Sequence, residues 1–235
     1  MKIALIGYGK MGKEIEAIAL KRGHEVILKI DKDNQDEMNI VNLKKADVAI
    51  EFSTPHTVVE NIYKCFNAHL PVVVGATGWY DKFDEIIAHC EGNRGSLFHA
   101  TNFSVGVNLF FKLNSYLAEL MNKYEDYDIS MEEIHHIHKL DKPSGTAISL
   151  ANQILNKVKR KEKWSIDEKA PDTLHIVDKR EGEVPGTHIV KYHSSIDDIE
   201  IMHKAHSRKG FALGAVIAAE FLQGKTGVYS MNDLI

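Results

Sequence analysis

Cysteine is scarce: Cys65 and Cys90 are the only two in 235 residues. They cannot build a disulfide framework, and their separation excludes a Cys-x-x-Cys pair. Both read as small buried hydrophobes. Long apolar runs are absent as well. Ile3–Ile6 stops at Gly7, too short for the apolar region of a secretory signal, and Phe211–Ala219 stops at Glu220, far below the roughly 18 residues of a membrane span. A basic excess is missing: 29 Lys and Arg stand against 33 Asp and Glu, for a net charge of −4. That balance speaks against a phosphate backbone as the main partner. Five Pro and sixteen Gly leave no long disordered tract, and 44% apolar residues suffice for a real core. The expectation is a cytoplasmic protein with neither membrane nor nucleic acid as partner.

The first half alternates short β-rich runs with helical patterns. Lys2–Ile6, Glu25–Ile30, Asp47–Phe52, Pro71–Val74 and Ser96–Ala100 read as strands. Gly12–Arg22 reads as a helix with Ile15, Ile18 and Ala19 on one face. A second helix is expected to open at Thr54-Pro55, with Thr54 as N-cap and Pro55 as first residue. The later strands of this set lack clean alternation, as strands buried on both faces do, and strands alternating with helices predict a parallel sheet. Another helix is expected from Ser104 to about Asn122. From Tyr127 the pattern changes to alternating strands, at Ile129–Glu133, Leu174–Arg180, Thr187–Ser194 and Ile199–Ala205, around a helix from Thr146 to about Lys161. Phe211–Leu222 is then helical and stops at Gly224. The basic run Lys157, Lys159, Arg160, Lys161 and Lys163 reads as a solvated helix end, where the dipole favours cations.

Gly7-Tyr8-Gly9-Lys10-Met11-Gly12 is a G-x-G-x-x-G loop between a strand and a helix. In that setting Gly7 permits a tight turn, Gly9 lets the backbone approach a pyrophosphate, and Gly12 lets helix and strand pack closely. The helix start offers free N–H groups and a positive dipole end to phosphates. Asp31 ends the second strand, where an acid binds the adenosine ribose hydroxyls. Asp31 favours NADH over NADPH, although Lys32 beside it could pair with a 2′-phosphate.

The segment Glu133-Ile134-His135-His136-Ile137-His138-Lys139-Leu140-Asp141-Lys142-Pro143-Ser144-Gly145-Thr146-Ala147 lies where a strand ends and a helix begins. Gly145 and Thr146 can present free amides, and Thr146 a hydroxyl, to an anion. His135, His136, His138 and Lys139 crowd proton donors and positive charge just upstream. Residue types alone leave two other readings open. Three histidines could ligate zinc, although His135 and His136 point to opposite faces of an extended strand and no cysteine stands near. Histidines hydrogen-bonded in an exposed loop are the bland alternative. No metal is expected.

On this segment, and on Gly75-Ala76-Thr77-Gly78, Ala100-Thr101-Asn102-Phe103-Ser104-Val105-Gly106-Val107 and His206-Ser207-Arg208, the chain resembles the 4-hydroxy-tetrahydrodipicolinate (dihydrodipicolinate) reductases of the diaminopimelate route to lysine. The resemblance implies that His135 protonates the substrate after hydride arrives and that Lys139 is a second proton donor near a carboxylate. It further implies that His136 contacts substrate and that Gly145 and Thr146 hold one carboxylate. Gly7 to Gly12, Tyr8, Lys10 and Met11 included, would bind the pyrophosphate. Gly75, Ala76 and Thr77, with Ala100, Thr101, Asn102 and Phe103, would line the nicotinamide side of NADH or NADPH. The fold implied is α/β: a Rossmann-like parallel-sheet dinucleotide-binding domain (1–104 and 209–235) and an inserted α+β domain with a mainly antiparallel open sheet (105–208). The inserted domain would bind substrate and build a homotetramer, with hinges near Ser104 and Arg208. The chain departs from common members in its short length, in Ile137 for a frequent Arg, in Ala76 for a frequent Thr, and in a first glycine loop one residue tighter than many. Another two-domain nicotinamide dehydrogenase would share the N-terminal pattern but has no reason to carry the His-His-x-x-Lys to Ser-Gly-Thr segment. A dinucleotide-sensing repressor would need a DNA-reading module, and no basic helix-turn-helix pattern is present.

Overall fold

Strand β1 (Lys2–Ile6) sends Ile3 and Leu5 to one face of a sheet and Ala4 and Ile6 to the other, and all four are buried. Both faces of such a strand need cover, and the neighbouring sequence supplies it. The computed structural model describes residues 1–235, which divide into two units: Met1–Val105 with Lys209–Ile235, and Gly106–Arg208.

In the first unit, β1, β2 (Glu25–Ile30), β3 (Val48–Glu51), β4 (Val72–Val74), β5 (Ser96–His99) and β11 (Gly227–Ser230) form one sheet in the order β11-β5-β4-β3-β1-β2, every pairing parallel. Helices α1 (Lys10–Lys21) and α7 (Lys209–Leu222) cover the Ile3/Leu5 face, with Ile15, Ala19, Ala212, Ala215 and Ala219 among the buried contacts. Helices α3 (Val58–Asn67) and α4 (Phe83–Gly92) cover the other face through Val58, Ile62, Cys65, Ile86 and Cys90. The short α2 (Ile40–Leu43) and α8 (Met231–Leu234) complete the unit. Both cysteines are free and buried, and burial pushes the Cys90 thiol up to about 11. Small side chains let α7 approach closely: a Cβ on Gly214 would fall 1.7 Å from the Phe103 carbonyl oxygen. Gly224 follows with φ +73°, a left-handed stop.

Three details differ from expectation here. The helix after Thr54-Pro55 becomes regular only at Val58, because the amides of Thr57 and Val58 both donate to the Thr54 carbonyl and form a turn first. Helix α4 and strand β11 lie outside the elements read from the sequence. Strand β11 is short and half-buried along its length, so its pattern carries no strong period.

In the second unit, β6 (Asp128–His135), β7 (Lys163–Ser165), β8 (Thr173–Arg180), β9 (Thr187–His193) and β10 (Asp198–Lys204) form a sheet ordered β10-β9-β6-β8-β7. This sheet is mixed rather than mainly antiparallel. The β10–β9 and β9–β6 pairs are antiparallel, while β6–β8 and β8–β7 are parallel. Helix α6 (Gly145–Lys157) lies in the connection between β6 and β8, and such a crossover returns the chain in the same direction. Helices α5 (Val105–Met121) and α6 supply Phe110, Ala118, Leu150, Ala151 and Ile154 to a core shared with Ile129, Met131, Leu174, Ile176 and Val190.

Helix α6 ends at Lys157, four residues before the expected Lys161, because the basic run turns inward. Arg160 donates to the carbonyls of Met121 and Tyr127, and the Lys161 ammonium donates to those of Pro171 and Thr173 and lies 2.8 Å from Asp128. Lys157 pairs with Glu119 and Lys163 with Glu168. Arg160 and Lys161 therefore brace the fold, and this stretch is only in part a solvated helix end.

Candidate active site

The first unit places a strand-to-helix turn where its strand order reverses. After β1 the chain passes to β2 on one side and to β3 on the other, so the loops following β1 and β3 flank a crevice at the carboxyl ends of the strands. Gly7 has φ +91° there, and a Cβ on it would lie 2.4 Å from the Phe52 carbonyl oxygen. A Cβ on Gly12 would lie 2.4 Å from the Gly7 oxygen, so the helix rests directly on the turn. Gly9 differs: nothing stands within 4 Å of its Cβ position. Gly9 is also the N-cap of α1, offers no capping side chain, and precedes a first turn without acids. Open space beside uncapped amides and an uncompensated dipole end fits the pyrophosphate of a dinucleotide. Tyr8 is tied back by its hydroxyl to Glu16, which also holds Lys29 at 2.6 Å. Lys10 is exposed and Met11 half-buried. Asp31 and Lys32 are exposed just beyond β2, with an Asp31 oxygen accepting from the Lys32 amide.

The loops after β4 and β5 lie on adjacent strands. Gly75 packs on the Phe52 ring, 2.1 Å from where its Cβ would be. The Ala76 carbonyl accepts a 2.9 Å hydrogen bond from the buried Trp79 indole. Thr77 and Thr101 are exposed, Ala100 is buried, and Asn102 accepts from the Ser104 amide. The Phe103 ring belongs to the core, against Phe52 and Phe98, so Phe103 has only backbone to offer a ligand. Sequence reasoning missed the loop after β3. Buried Glu51 anchors it by accepting from the Ser53 amide and hydroxyl and from Asn61, and burial raises its carboxyl above the usual range. Its contacts with Gly7 and Gly75, invisible in sequence, place that loop at the crevice.

In the second unit, β6 runs straight into the other candidate site. His135 is its last residue and is 6% exposed. Nδ1 of His135 faces Glu133 Oε2 at 3.4 Å, and a Cβ on Gly186 would lie 3.1 Å from Nε2. Glu133 is fully buried: Oε1 accepts from the Ser144 amide at 2.8 Å, and Oε2 accepts from the Ser144 hydroxyl. Ser144 is the N-cap of α6 and accepts from the Ala147 amide at 3.1 Å. The first intrahelical bond runs from Ile148 to the Ser144 carbonyl, so the Gly145 and Thr146 amides precede it, again with no acid in the turn. Nothing stands within 4 Å of a Gly145 Cβ position. His135, Gly145 and Thr146 are thus brought together through Glu133 and Ser144.

His136 is half-buried, and His138 lies exposed beside Glu183. Lys139 pairs with both oxygens of Asp141, at 2.7 and 2.8 Å. Arg180 clamps this loop from below, donating to the carbonyls of Lys139 and Asp141 while its Nη1 lies 2.6 Å from Asp178. Burial pushes His135 down to about 4, opposed by the Glu133 charge and reinforced by His188, Lys139 and Arg180. Hydrogen bonds from His188 and Ser144 outweigh burial at Glu133 and hold its carboxyl well below the usual range. Glu133, Arg180, Gly186 and His188 had no role in the sequence reading, because their placement depends on strand register.

Glu133, His135 and His188 bring three potential ligand atoms within 4.8 Å. Both Glu133 oxygens already accept from Ser144, and the Arg180 guanidinium lies 3.9 Å away. That donor set suits hydrogen bonding better than a cation.

Comparison with known proteins adds the following. Residues 1–103 match the family model for dihydrodipicolinate reductase, N-terminus, and residues 106–235 the model for its C-terminus. A 4-hydroxy-tetrahydrodipicolinate reductase of Christiangramia forsetii is 49% identical over 235 residues, covering 100% of this chain and 98% of the relative. One from Neisseria meningitidis serogroup B is 35% identical over 228 residues, covering 94% and 83%. Among solved structures, a dipicolinate-bound dihydrodipicolinate reductase from Paenisporosarcina sp. TG-14 superposes with a TM-score of 0.82 at 22% identity, covering 100% of this chain and 99% of that one. An aspartate semialdehyde dehydrogenase of Vibrio cholerae reaches a TM-score of 0.52 at 10% identity, covering 94% and 97%, a likeness of fold alone.

Proposed function

The chain belongs to the dihydrodipicolinate reductase family, and we propose that His135 is its proton donor, that Lys139 with the first turn of α6 clamps a substrate carboxylate, and that the β1–α1 loop seats the cofactor. It is an oxidoreductase of lysine biosynthesis that uses NAD(P)H. The reaction converts (2S,4S)-4-hydroxy-2,3,4,5-tetrahydrodipicolinate to (S)-2,3,4,5-tetrahydrodipicolinate with loss of water. NAD(P)H, when bound, supplies the hydride.

The observation that carries the assignment of roles is the junction of β6 and α6. It sets a buried imidazole and an open helix start on the two sides of one ionised carboxylate. Gly145 and Thr146 offer amides to one carboxylate of a dicarboxylate substrate, and Lys139 offers a cation once it leaves Asp141. His136, half-buried and between His135 and Lys139 in sequence, contacts substrate. His135 is neutral in the free protein near pH 7, and an anionic substrate favours its protonated form. The proton then passes from the imidazole to the reduced carbon skeleton.

Asp31, exposed at the end of β2, supports a preference for NADH by accepting from the ribose hydroxyls and repelling a 2′-phosphate. Gly75 to Thr77 and Ala100 to Phe103 line the nicotinamide side. A homotetramer built through the second sheet is supported by its edge strand β10, which exposes Met202 and part of Ile199. No helix is long and apolar enough to cross a membrane, and a cytoplasmic site suits the biosynthetic role.

The test is NADH oxidation with pyruvate, aspartate semialdehyde and a purified dihydrodipicolinate synthase. Oxidation is expected to need both the synthase and His135, and His135→Gln is expected to lower kcat by about a hundredfold or more while NADH affinity holds. Equal loss of turnover and NADH binding removes His135 from the proton-donor role.

A further inference from the structure

Along β6 the covered face reads Ile129, Met131, Glu133, His135. At Met131 the row across the sheet is hydrocarbon: Ile176, Met131, Val190 and Ile201 stand in register. Two residues further along, the same row holds Asp178, Glu133, His188 and His203, one titratable group on each of four adjacent strands. Glu133 and His188 are buried, and Asp178 and His203 are half-buried. A fully titratable row next to a core layer is costly unless its charges find partners, and here His188 meets Glu133 while Asp178 meets Arg180 from its own strand. His188 Nε2 lies 3.4 Å from Glu133 Oε2 and 3.2 Å from the Ser144 hydroxyl oxygen.

We propose that Glu133 is a positioning residue with two tasks: its carboxylate holds the first turn of α6 in place through Ser144, and it balances the charge that His135 carries as proton donor. His188 fixes that carboxylate from the neighbouring strand. The proposal rests on the assignment of His135 and deepens it. The groups facing this pair come from every packed element. Asp178 and Arg180 come from β8, His188 from β9 and His203 from β10, with Lys139, Asp141 and Lys142 from the loop after β6. Of these, His188, Lys139 and Arg180 disfavour a proton on His135, and the Glu133 anion opposes them. Without that anion, His135 would be left buried among cations and would shed its proton more readily. The tether has equal geometric weight. Two hydrogen bonds that one carboxylate accepts from Ser144 set the direction in which the Gly145 and Thr146 amides point.

Glu133→Gln keeps an acceptor for the Ser144 amide and removes the charge. It is to be compared with Glu133→Asp and Ser144→Ala by the pH profile of kcat, by substrate KM, and by NMR titration of the His135 imidazole in the whole protein without substrate. Glu133→Gln is expected to lower the His135 midpoint by about one pH unit, and to lower kcat about tenfold on the alkaline side with NADH affinity unchanged. Glu133→Asp is expected to stay near the wild-type midpoint. Ser144→Ala is expected to raise substrate KM and leave the alkaline limb in place. A midpoint unmoved in Glu133→Gln, or a kcat lowered equally at every pH, overturns the charge-balancing task. A wild-type KM in Ser144→Ala overturns the hydroxyl half of the tether, a wild-type KM in Glu133→Asp as well overturns the tether, and these arms decide should Glu133→Gln fail to fold. If His135 shifts as expected in a protein that reduces nothing, the Glu133 coupling stands and the reductase assignment falls.

Discussion

Helices α1 and α6 each follow a strand, α1 after a three-residue turn and α6 after a nine-residue loop, and both leave their first amides open, yet the two starts are built from opposite materials. At α1 the N-cap is Gly9, without a capping side chain, and the turn is shaped by backbone contacts of Gly7 and Gly12. At α6 the N-cap is Ser144, whose side chain caps the helix and is itself held by a buried carboxylate. The contrast follows from what each start is proposed to hold. A pyrophosphate brings fixed charge and needs only amides and room. A substrate that must also be protonated needs an acid nearby whose proton affinity is controlled, and so titratable groups gather behind the helix.

The sharpest way to break this comparison is to add one methyl group at each start. Gly12→Ala drives a Cβ against the Gly7 carbonyl oxygen at 2.4 Å, and thermal unfolding should show a loss of about 3 kcal/mol. Gly145→Ala meets nothing within 4 Å, so its melting temperature should stay level or rise while substrate KM increases. A Gly145→Ala that melts well below wild type and an indifferent Gly12→Ala would reverse the assignment of backbone-built and side-chain-built starts.

Lys139→Ala sharpens the comparison next. Removing a charged partner of a substrate carboxylate should cost about 1.5–3 kcal/mol, read as a fall in kcat/KM of roughly 10- to 100-fold in steady-state kinetics. NADH affinity, which we assign to the start of α1, should hold. Unchanged kinetics would take Lys139 out of the site.

Acid stability separates the two starts by pH. His135 is pushed down to about 4, so between about 6.5 and 4 the unfolded chain binds more protons at this position than the folded one, and stability falls as pH falls. Glu133 is also depressed, so its contribution is fully present above the ordinary carboxylate range and is lost only at lower pH, as its folded value is approached. Denaturant midpoints measured from pH 7 to 4 should therefore flatten in His135→Gln. A slope equal to wild type would assign the acid sensitivity to other groups.

Asp31→Asn is the mildest change. It removes a charge from an exposed position, and the ratio of NADPH to NADH KM should fall by about tenfold or less. A ratio that does not move would shift cofactor choice to Lys32 or to the loops.

How much of this was legible in the sequence follows from the range of the interactions. Gly7 to Gly12 and Ser144 to Thr146 are local patterns, and each marks its strand–helix junction from neighbouring residues alone. The roles of Glu133 and His188 depend on a 3.4 Å approach between strands 55 residues apart in number, which no spacing rule reports. Alternation in Ile129–Glu133 and Ile199–Ala205 predicts a half-covered sheet but is silent on strand direction, so the parallel β6–β8 pair was read as part of a mainly antiparallel set. Strand β7 has three residues and β11 four, too few for a period to emerge. The family motifs named His135 and Lys139, and the folded sheet supplied the partners that control them.

Helix α7 and strand β11 also set an order of events. They follow residues 106–208 in the chain, and they complete one face, beside α1, and one edge of a sheet whose other strands are finished by residue 99. During synthesis that face, with Ile50, Val73 and Phe98, is covered only in part, by α1, while residues 106–208 emerge. The unit that begins first is therefore completed last. A nascent chain that has not yet gained α7 keeps one face of its nucleotide half partly bare, an adhesive surface that only the late segments close.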